Sequence, residues 1–229
     1  MNFKKTIKYI FRNMGYEITK LGEVDLLESL ICKKNHKNFF FLQIGANNGK
    51  RFDPIFNVVK SLNLRGLAIE PVEEYYNELV ENYKNSSVIP VNKAIYEENK
   101  KVSIFRVKQS AELPEWSKGI ASLNPDHYKK SQTDEKNIVE EVVDAITFEK
   151  LFRDYNVKHI DLLQIDTEGY DYNLLKLFPF EKYQPSIIHF EHGLPNSIMT
   201  IEQVSEINML LLKLGYKTIM KEYDCIGYK

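Results

Sequence analysis

Four side chains of the types that handle protons stand in two short stretches, Asp166 and Glu168 in one, Glu191 and His192 in the other. Asp166 directly follows the apolar run Ile160 to Ile165, and Glu191 follows the run Ser186 to Phe190. If the two runs are adjacent strands, about 4.8 Å apart, three carboxylates and an imidazole meet at one mouth. Such a group is costly unless a ligand, a proton or a metal relieves the repulsion. Asp166, His192 and Glu168 are therefore the candidate catalytic residues, with Asp166 or His192 able to take a proton from an acceptor hydroxyl. The same oxygen and imidazole ligands suit Mg²⁺ or Mn²⁺, with Asp166, Glu191 and His192 as the metal set. Strand alternation sends Glu191 and His192 to opposite faces unless the strand ends at Phe190. A side-chain base without a metal is accordingly the favoured arrangement.

A second constellation lies earlier. Gln43-Ile44-Gly45-Ala46-Asn47-Asn48-Gly49 closes the run that starts at Phe39, and glycines there permit a tight turn with close backbone approach to a ligand. Its Gly-x-x-x-Gly spacing is neither the dinucleotide Gly-x-Gly-x-x-Gly nor a phosphate loop, which would carry Lys-Ser/Thr. Glu70 ends the next apolar run, placed to accept hydrogen bonds from both hydroxyls of a ribose. Turn plus acid indicate an adenosine-containing ligand without a pyrophosphate. S-adenosylmethionine meets that description better than NAD does.

The elements that must position these groups alternate. Strand-like runs cover Phe39–Ile44, Leu64–Ile69, Val88–Val91, Ile160–Ile165 and Ser186–Phe190, and two closing strands cover Tyr216–Met220 and Cys225–Tyr228. Helices are expected from near Pro54, over Val72–Tyr83, around Asn173–Leu177 and over Ile201–Leu214. Pro90 marks its strand as an edge. This rhythm predicts an α/β fold, a mostly parallel sheet covered on both faces, with ligands at the carboxyl ends of the strands. Between the strand-like runs Val102–Val107 and Val139–Ile146, residues 108–137 are polar and interrupted by Pro114, Gly119 and Pro125. An insertion of this length reads as a lid or substrate-binding segment. It carries the single tryptophan, Trp116, and Trp116, Ser122 and Glu191 are the candidate acceptor contacts. No role is assigned to His36, His127, His159 or His189.

The 229 residues suit one core domain, residues 37–229, with an N-terminal helical extension over 1–36. Lys and Arg total 31 against 32 Asp and Glu, so the chain has no overall attraction for nucleic acid. Two cysteines cannot build a disulfide framework, and no run approaches the ~18 apolar residues of a membrane span. The N-terminus lacks the apolar core of a secretion signal. A cytoplasmic protein is expected. Phe3, Ile7, Ile10, Phe11 and Met14 nevertheless form an apolar helical stripe beside Lys4, Lys5, Lys8 and Arg12. It can pack on the domain or a second subunit, or lie on a membrane surface.

The text FLQIGANNG, GLAIEP, VNKAI, VDAITFEKLF, IDLLQIDTEGYDYNLL and IIHFEH, spread over roughly residues 39–192, resembles the FkbM family of S-adenosylmethionine-dependent methyltransferases. The resemblance implies a Rossmann-like class I methyltransferase fold with a seven-stranded sheet. It implies that Gly45, Ala46, Asn47 and Gly49 line the methionine end of the cofactor. Glu70, beside Pro71, would hold the ribose, and Asn92, Lys93 and Ala94 would border the adenine. Gln43 departs from the pattern, since many methyltransferases carry an acid there. Gln43 can hydrogen-bond the cofactor but adds no charge to balance its ammonium group. The implied activity is methyl transfer to a hydroxyl of a sugar, glycan precursor or other small metabolite. The competing readings are an NAD- or nucleotide-sugar-dependent oxidoreductase, disfavoured by the missing third glycine, and a catalytically inactive cofactor-binding scaffold.

Overall fold

A computed structural model describes residues 25–108, 113, 117, 119–127 and 133–229. The expected stripe from Phe3 to Met14, and Trp116, lie outside the described residues. In chain order the elements are α1 (Leu26–Cys32), β1 (Phe40–Ile44), α2 (Phe56–Leu62), β2 (Arg65–Ile69), α3 (Glu73–Asn82), β3 (Val88–Val91), β4 (Ala94–Ile95), β5 (Lys100–Val107), β6 (Ala121–Ser122) and β7 (Ile138–Ile146). The chain continues with α4 (Phe148–Asp154), β8 (Leu162–Ile165), α5 (Asp171–Leu177), β9 (Ile187–Glu191), α6 (Ile201–Lys213), β10 (Lys217–Met220) and β11 (Asp224–Tyr228).

Seven strands form the main sheet in the order β10-β11-β9-β8-β1-β2-β3. All neighbours from β9 to β3 pair in parallel, and β11 runs antiparallel to both β9 and β10. This is the Rossmann-like class I architecture, with β8 beside β1 and the proline-bearing β3 at the edge, where a missing N–H costs no ladder bond. Side chains alternate between two buried layers. Leu42, Ile44, Leu163 and Ile165 face one core with Leu151, Leu174, Ile207 and Leu211 of α4, α5 and α6. Phe41 and Leu162 face the other, with Leu27, Ile31, Val58 and Val59 of α1 and α2. Burial on both faces accounts for central strands that are mostly apolar, with Gln43 of β1 and Gln164 of β8 as buried polar exceptions.

A second sheet, β4-β7-β5-β6, was not anticipated as a separate unit. The long antiparallel pair β5–β7 rises on either side of the insertion, and β4 adds to it in parallel. Ala94, Ile104, Val143 and Ala145 pack it onto Val72 and Tyr75 at the start of α3. The two-residue β4 lies within VNKAI, which carries too little pattern to announce a strand.

Beyond β1 the backbone turns sharply at Gly45, where φ is 79°. A methyl group at that Cα would lie 1.7 Å from the Asp166 carbonyl oxygen. The main chain following β8 thus crosses almost against the main chain following β1, and only glycine admits the approach. Gly45→Ala combines left-handed strain with an overpacked backbone contact, so a loss of about 3 kcal/mol or more is expected. Urea denaturation of the purified variant measures it, and a wild-type midpoint would contradict the crossing.

Candidate active site

A cavity of about 250 Å³ opens at the carboxyl ends of β1, β2 and β8, where this fold class binds ligands. Gln43, Gly45, Ala46, Asn47, Glu70, Pro71, Lys93, Ala94, Asp166 and Glu168 all line it, so most of the expected cofactor residues come together. Ile69, Ile95, Ile104 and Leu174 supply apolar walls. Glu70 is 4% exposed, and its two carboxylate oxygens accept from the backbone N–H groups of Asn47 (2.8 Å) and Val72 (2.9 Å). Burial, opposed by those two bonds, holds its proton up to about pH 7. Hydroxyl donors from a ligand would favour its charged form.

Other expected contacts serve the walls instead. Gly49 does not line the cavity; a methyl there would meet Leu79 and Tyr83 at 2.4 and 2.7 Å, so this glycine lets α3 pack close. Asn92 donates to the carbonyls of Glu70 and Pro71, both at 3.0 Å, and fixes the end of β2. Ser122 is buried, donates to the Glu168 carbonyl at 2.7 Å and accepts from the Asn124 N–H, so its hydroxyl is not presented to an acceptor.

At the reacting end Asp166 and Glu168 share the cavity wall. Burial and the adjoining Glu168 and Asp171 push the Asp166 carboxyl well above its ordinary range. Asp171, fully buried at the start of α5, accepts from the Thr167 N–H and hydroxyl at 3.1 and 2.7 Å and is raised to about 6, chiefly by burial. Glu191 sits behind this wall and not in the cavity lining. Burial, with Asp166 and Glu168 nearby, raises its carboxyl to about 10.

His192 corrects the sequence reading. β9 ends at Glu191, the His192 N–H donates to the Tyr223 carbonyl, and the ring turns away from the cavity. Its Nδ1 accepts from the Leu194 N–H (3.1 Å), so Nε2 carries the hydrogen and donates to the Lys221 carbonyl (3.2 Å). Both nitrogens are spent on backbone, which leaves His192 neither a base nor a metal ligand. The set Asp166, Glu191 and His192 is not assembled as a chelate. Among the described residues, no group of three or more His, Cys, Asp or Glu side chains is arranged to hold a metal ion.

Sequence reasoning also missed several members. His127, given no role, is buried in the insertion with Nε2 3.2 Å from a Glu168 carboxylate oxygen. With the Ser122 bond and the Asn47 side chain donating to the Gly119 carbonyl (3.0 Å), this pins residues 119–127 over the turn after β8. Gly119, Ala121 and Leu123 line the cavity. Glu168 itself holds φ 54°, a strained backbone that these contacts fix. Asp53 and Gln164 also line the cavity. Gln164 stands opposite Gln43 in the β1–β8 register, a pairing visible only once the strands are aligned.

The parallel sheet, the glycine turn and the acid at the end of β2 are those of the Rossmann-like class I methyltransferase fold. The profile described as Methyltransferase FkbM domain matches residues 43–218, and the chain belongs to that family. A crystal structure of methyltransferase FkbM from Methylobacillus flagellatus KT aligns with a TM-score of 0.51 at 10% identity, over 86% of this chain and 44% of that one. This chain thus spans less than half of that protein's length. An O-methyltransferase from Bacillus cereus, solved in complex with SAH, aligns at 0.44 with 9% identity, over 100% of this chain and 92% of that one. A precorrin-6y C5,15-methyltransferase from Geobacter metallireducens GS-15 aligns at 0.42 with 12% identity, over 93% and 94%. No curated protein matches the chain. Among the described residues no helix is long and apolar enough to cross a membrane.

Carboxyls that hold protons more tightly folded than unfolded make stability fall as pH rises through the interval between the two values. Asp53 and Asp171 at about 6, Glu70 at about 7 and Glu191 at about 10 all act in this sense. The unfolding temperature of the ligand-free protein should therefore drop between about pH 5 and pH 8. Glu191→Gln keeps the shape, removes one such group and should flatten the drop. Scanning calorimetry of both proteins checks this, and a wild-type midpoint that climbs over that range contradicts it.

Proposed function

We propose that the protein transfers the methyl group of S-adenosylmethionine to a hydroxyl oxygen of a sugar, glycan precursor or similar small polar metabolite. The observation that carries the reading is the pair Asp166 and Glu168 lining the same cavity as the buried Glu70. Glu70 would hold the ribose hydroxyls, Lys93 and Ala94 would border the adenine, and Gly45, Ala46 and Asn47 would line the amino-acid end. When bound, the cofactor supplies a methyl group on a sulfonium sulfur.

The chain's own residues then align and deprotonate. A hydroxyl is a poor nucleophile until its proton is accepted as the oxygen attacks. Carboxylates desolvated like Asp166 are stronger bases than their counterparts in water, and Glu168, steadied by His127, lies beside it. Residues 119–127 are tied to the turn from which both acids project through Asn47–Gly119, Ser122–Glu168 and His127–Glu168. Holding oxygen, carbon and sulfur in line supplies several kcal/mol of the barrier reduction. With both His192 nitrogens engaged by backbone, the base in this scheme is Asp166 or the adjoining Glu168. A small acceptor, and not a nucleic acid, accords with a net charge of -1.

Calorimetry with S-adenosylhomocysteine tests the donor site, and labelled S-adenosylmethionine with a panel of hydroxyl and amine acceptors tests the transfer. Glu70→Ala should weaken S-adenosylhomocysteine by roughly tenfold to a hundredfold, the loss of a charge-assisted pair. Unchanged affinity in the folded variant would overturn the ribose contact. With an acceptor in hand, turnover should survive exhaustive chelation, and activity restored only by Mg²⁺ or Mn²⁺ would replace the side-chain base with a metal. Tight binding without transfer to any acceptor favours the scaffold reading.

A further inference from the structure

Where β1 and β8 meet the cavity, the wall holds more hydrogen-bond acceptor than the protein itself uses. Gln43 and Gln164 are each 2% exposed, face one another across neighbouring parallel strands, and both line the cavity. The Oε1 of each is buried with no partner among the described residues. The orientation of Gln43 is set from outside, because its Nε2 donates to Asp53 Oδ2 at 3.1 Å and leaves Oε1 as the free end. Buried acceptors left unpaired cost free energy, so their natural partner is a ligand donor.

Asp53 joins them from the loop after the glycine turn. Its Oδ1 accepts from the backbone N–H groups of Ile55 (2.8 Å) and Phe56 (3.2 Å) at the start of α2. The preceding Phe52 holds φ 56°, a left-handed backbone rare for a bulky residue, and leaves its ring 78% exposed while Asp53 turns toward the cavity. Asp53 is a cavity residue in its own right, and so is Arg51 two positions earlier. An ammonium group has three donors and no acceptor, and it needs an anion nearby when taken from water.

We propose that Asp53 is the counter-charge for the α-ammonium of the donor's amino-acid moiety, with the Gln43 and Gln164 carbonyl oxygens as its two neutral acceptors. The acid that Gln43 lacks on β1 is thereby supplied from the adjoining loop, one hydrogen bond away. Arg51 lines the same wall, with its guanidinium paired to Glu78 at 3.1 Å. This assignment rests on the donor reading above.

Two ligands separate it from a structural role. S-adenosylhomocysteine carries the ammonium, whereas 5′-deoxy-5′-methylthioadenosine keeps the adenosine and thioether and lacks the amino acid. Asp53→Asn retains an oxygen for Ile55 and Phe56 and removes the charge. Calorimetry should show S-adenosylhomocysteine weakened about tenfold or more, with the methylthioadenosine changed by less than about threefold. Asp53→Asn with Gln43→Asp returns a carboxylate to the same spot and should regain most of the loss. Thermal melting confirms that each variant is folded. Equal losses for the two ligands, no loss, or a loss that Gln43→Asp leaves uncorrected would overturn the assignment. So would a selective loss seen in Asp166→Asn in place of Asp53→Asn. Failure of the wild-type protein to bind S-adenosylhomocysteine at all would instead strike the donor reading.

Discussion

Desolvation governs the mouth of the large sheet. Asp53, Glu70, Asp166, Asp171 and Glu191 all hold their protons above the ordinary carboxylate range, and in each the leading cause is burial. Burying charge is among the most costly acts in a fold unless partners compensate it. Here compensation is partial: backbone N–H groups of Asn47 and Val72 serve Glu70, the Gln43 amide with the Ile55 and Phe56 N–H groups serves Asp53, and the Thr167 hydroxyl and N–H serve Asp171. Those N–H groups belong to turns that exist because the strands end there. The site is thus poised for a ligand that brings donors and positive charge.

The rest of the fold keeps that arrangement dry and fixed. Two apolar layers sandwich β1 and β8, so the strands bearing Gln43 and Gln164 cannot slip without moving both cores. Gly45 lets the chain after β1 cross the chain after β8 at main-chain contact, which sets where Asp166 stands relative to the glycine turn. The small sheet anchors the insertion, and Gly119, Ser122 and His127 tie that insertion back to Asn47 and Glu168.

Much of this was legible in the sequence because its signals are local. Apolar runs ending in glycine or acid named β1, β2 and β8, and the turn with Glu70 pointed to an adenosine-containing ligand. What failed to show depends on geometry across the chain. His192 sits beside an acid in sequence, yet its ring is captured by the Leu194 N–H two residues on and by the Lys221 carbonyl, which the β9–β11 pairing brings in. Asp53 reads as an ordinary loop acid before Pro54, and only the left-handed turn at Phe52 aims it at the cavity. Gln164 gains meaning from Gln43, which lies 121 positions away and becomes its neighbour through the β1–β8 register. His127 lies in a polar stretch without periodicity, where no pattern separates a buried histidine from a solvated one.

On this reading these carboxyls wait, partly protonated, for a cationic and hydroxyl-rich ligand. Proton exchange on binding tests it most directly. Titrating S-adenosylhomocysteine into the protein near pH 6.5, in buffers of different ionisation enthalpy, gives the number of protons moved per ligand. Glu70 at about 7 and Asp53 at about 6 should ionise as the ribose hydroxyls and the ammonium engage them, releasing protons to the buffer. The release should shrink as the pH is raised above both values. Binding with no proton exchange, or with net uptake, would contradict the account.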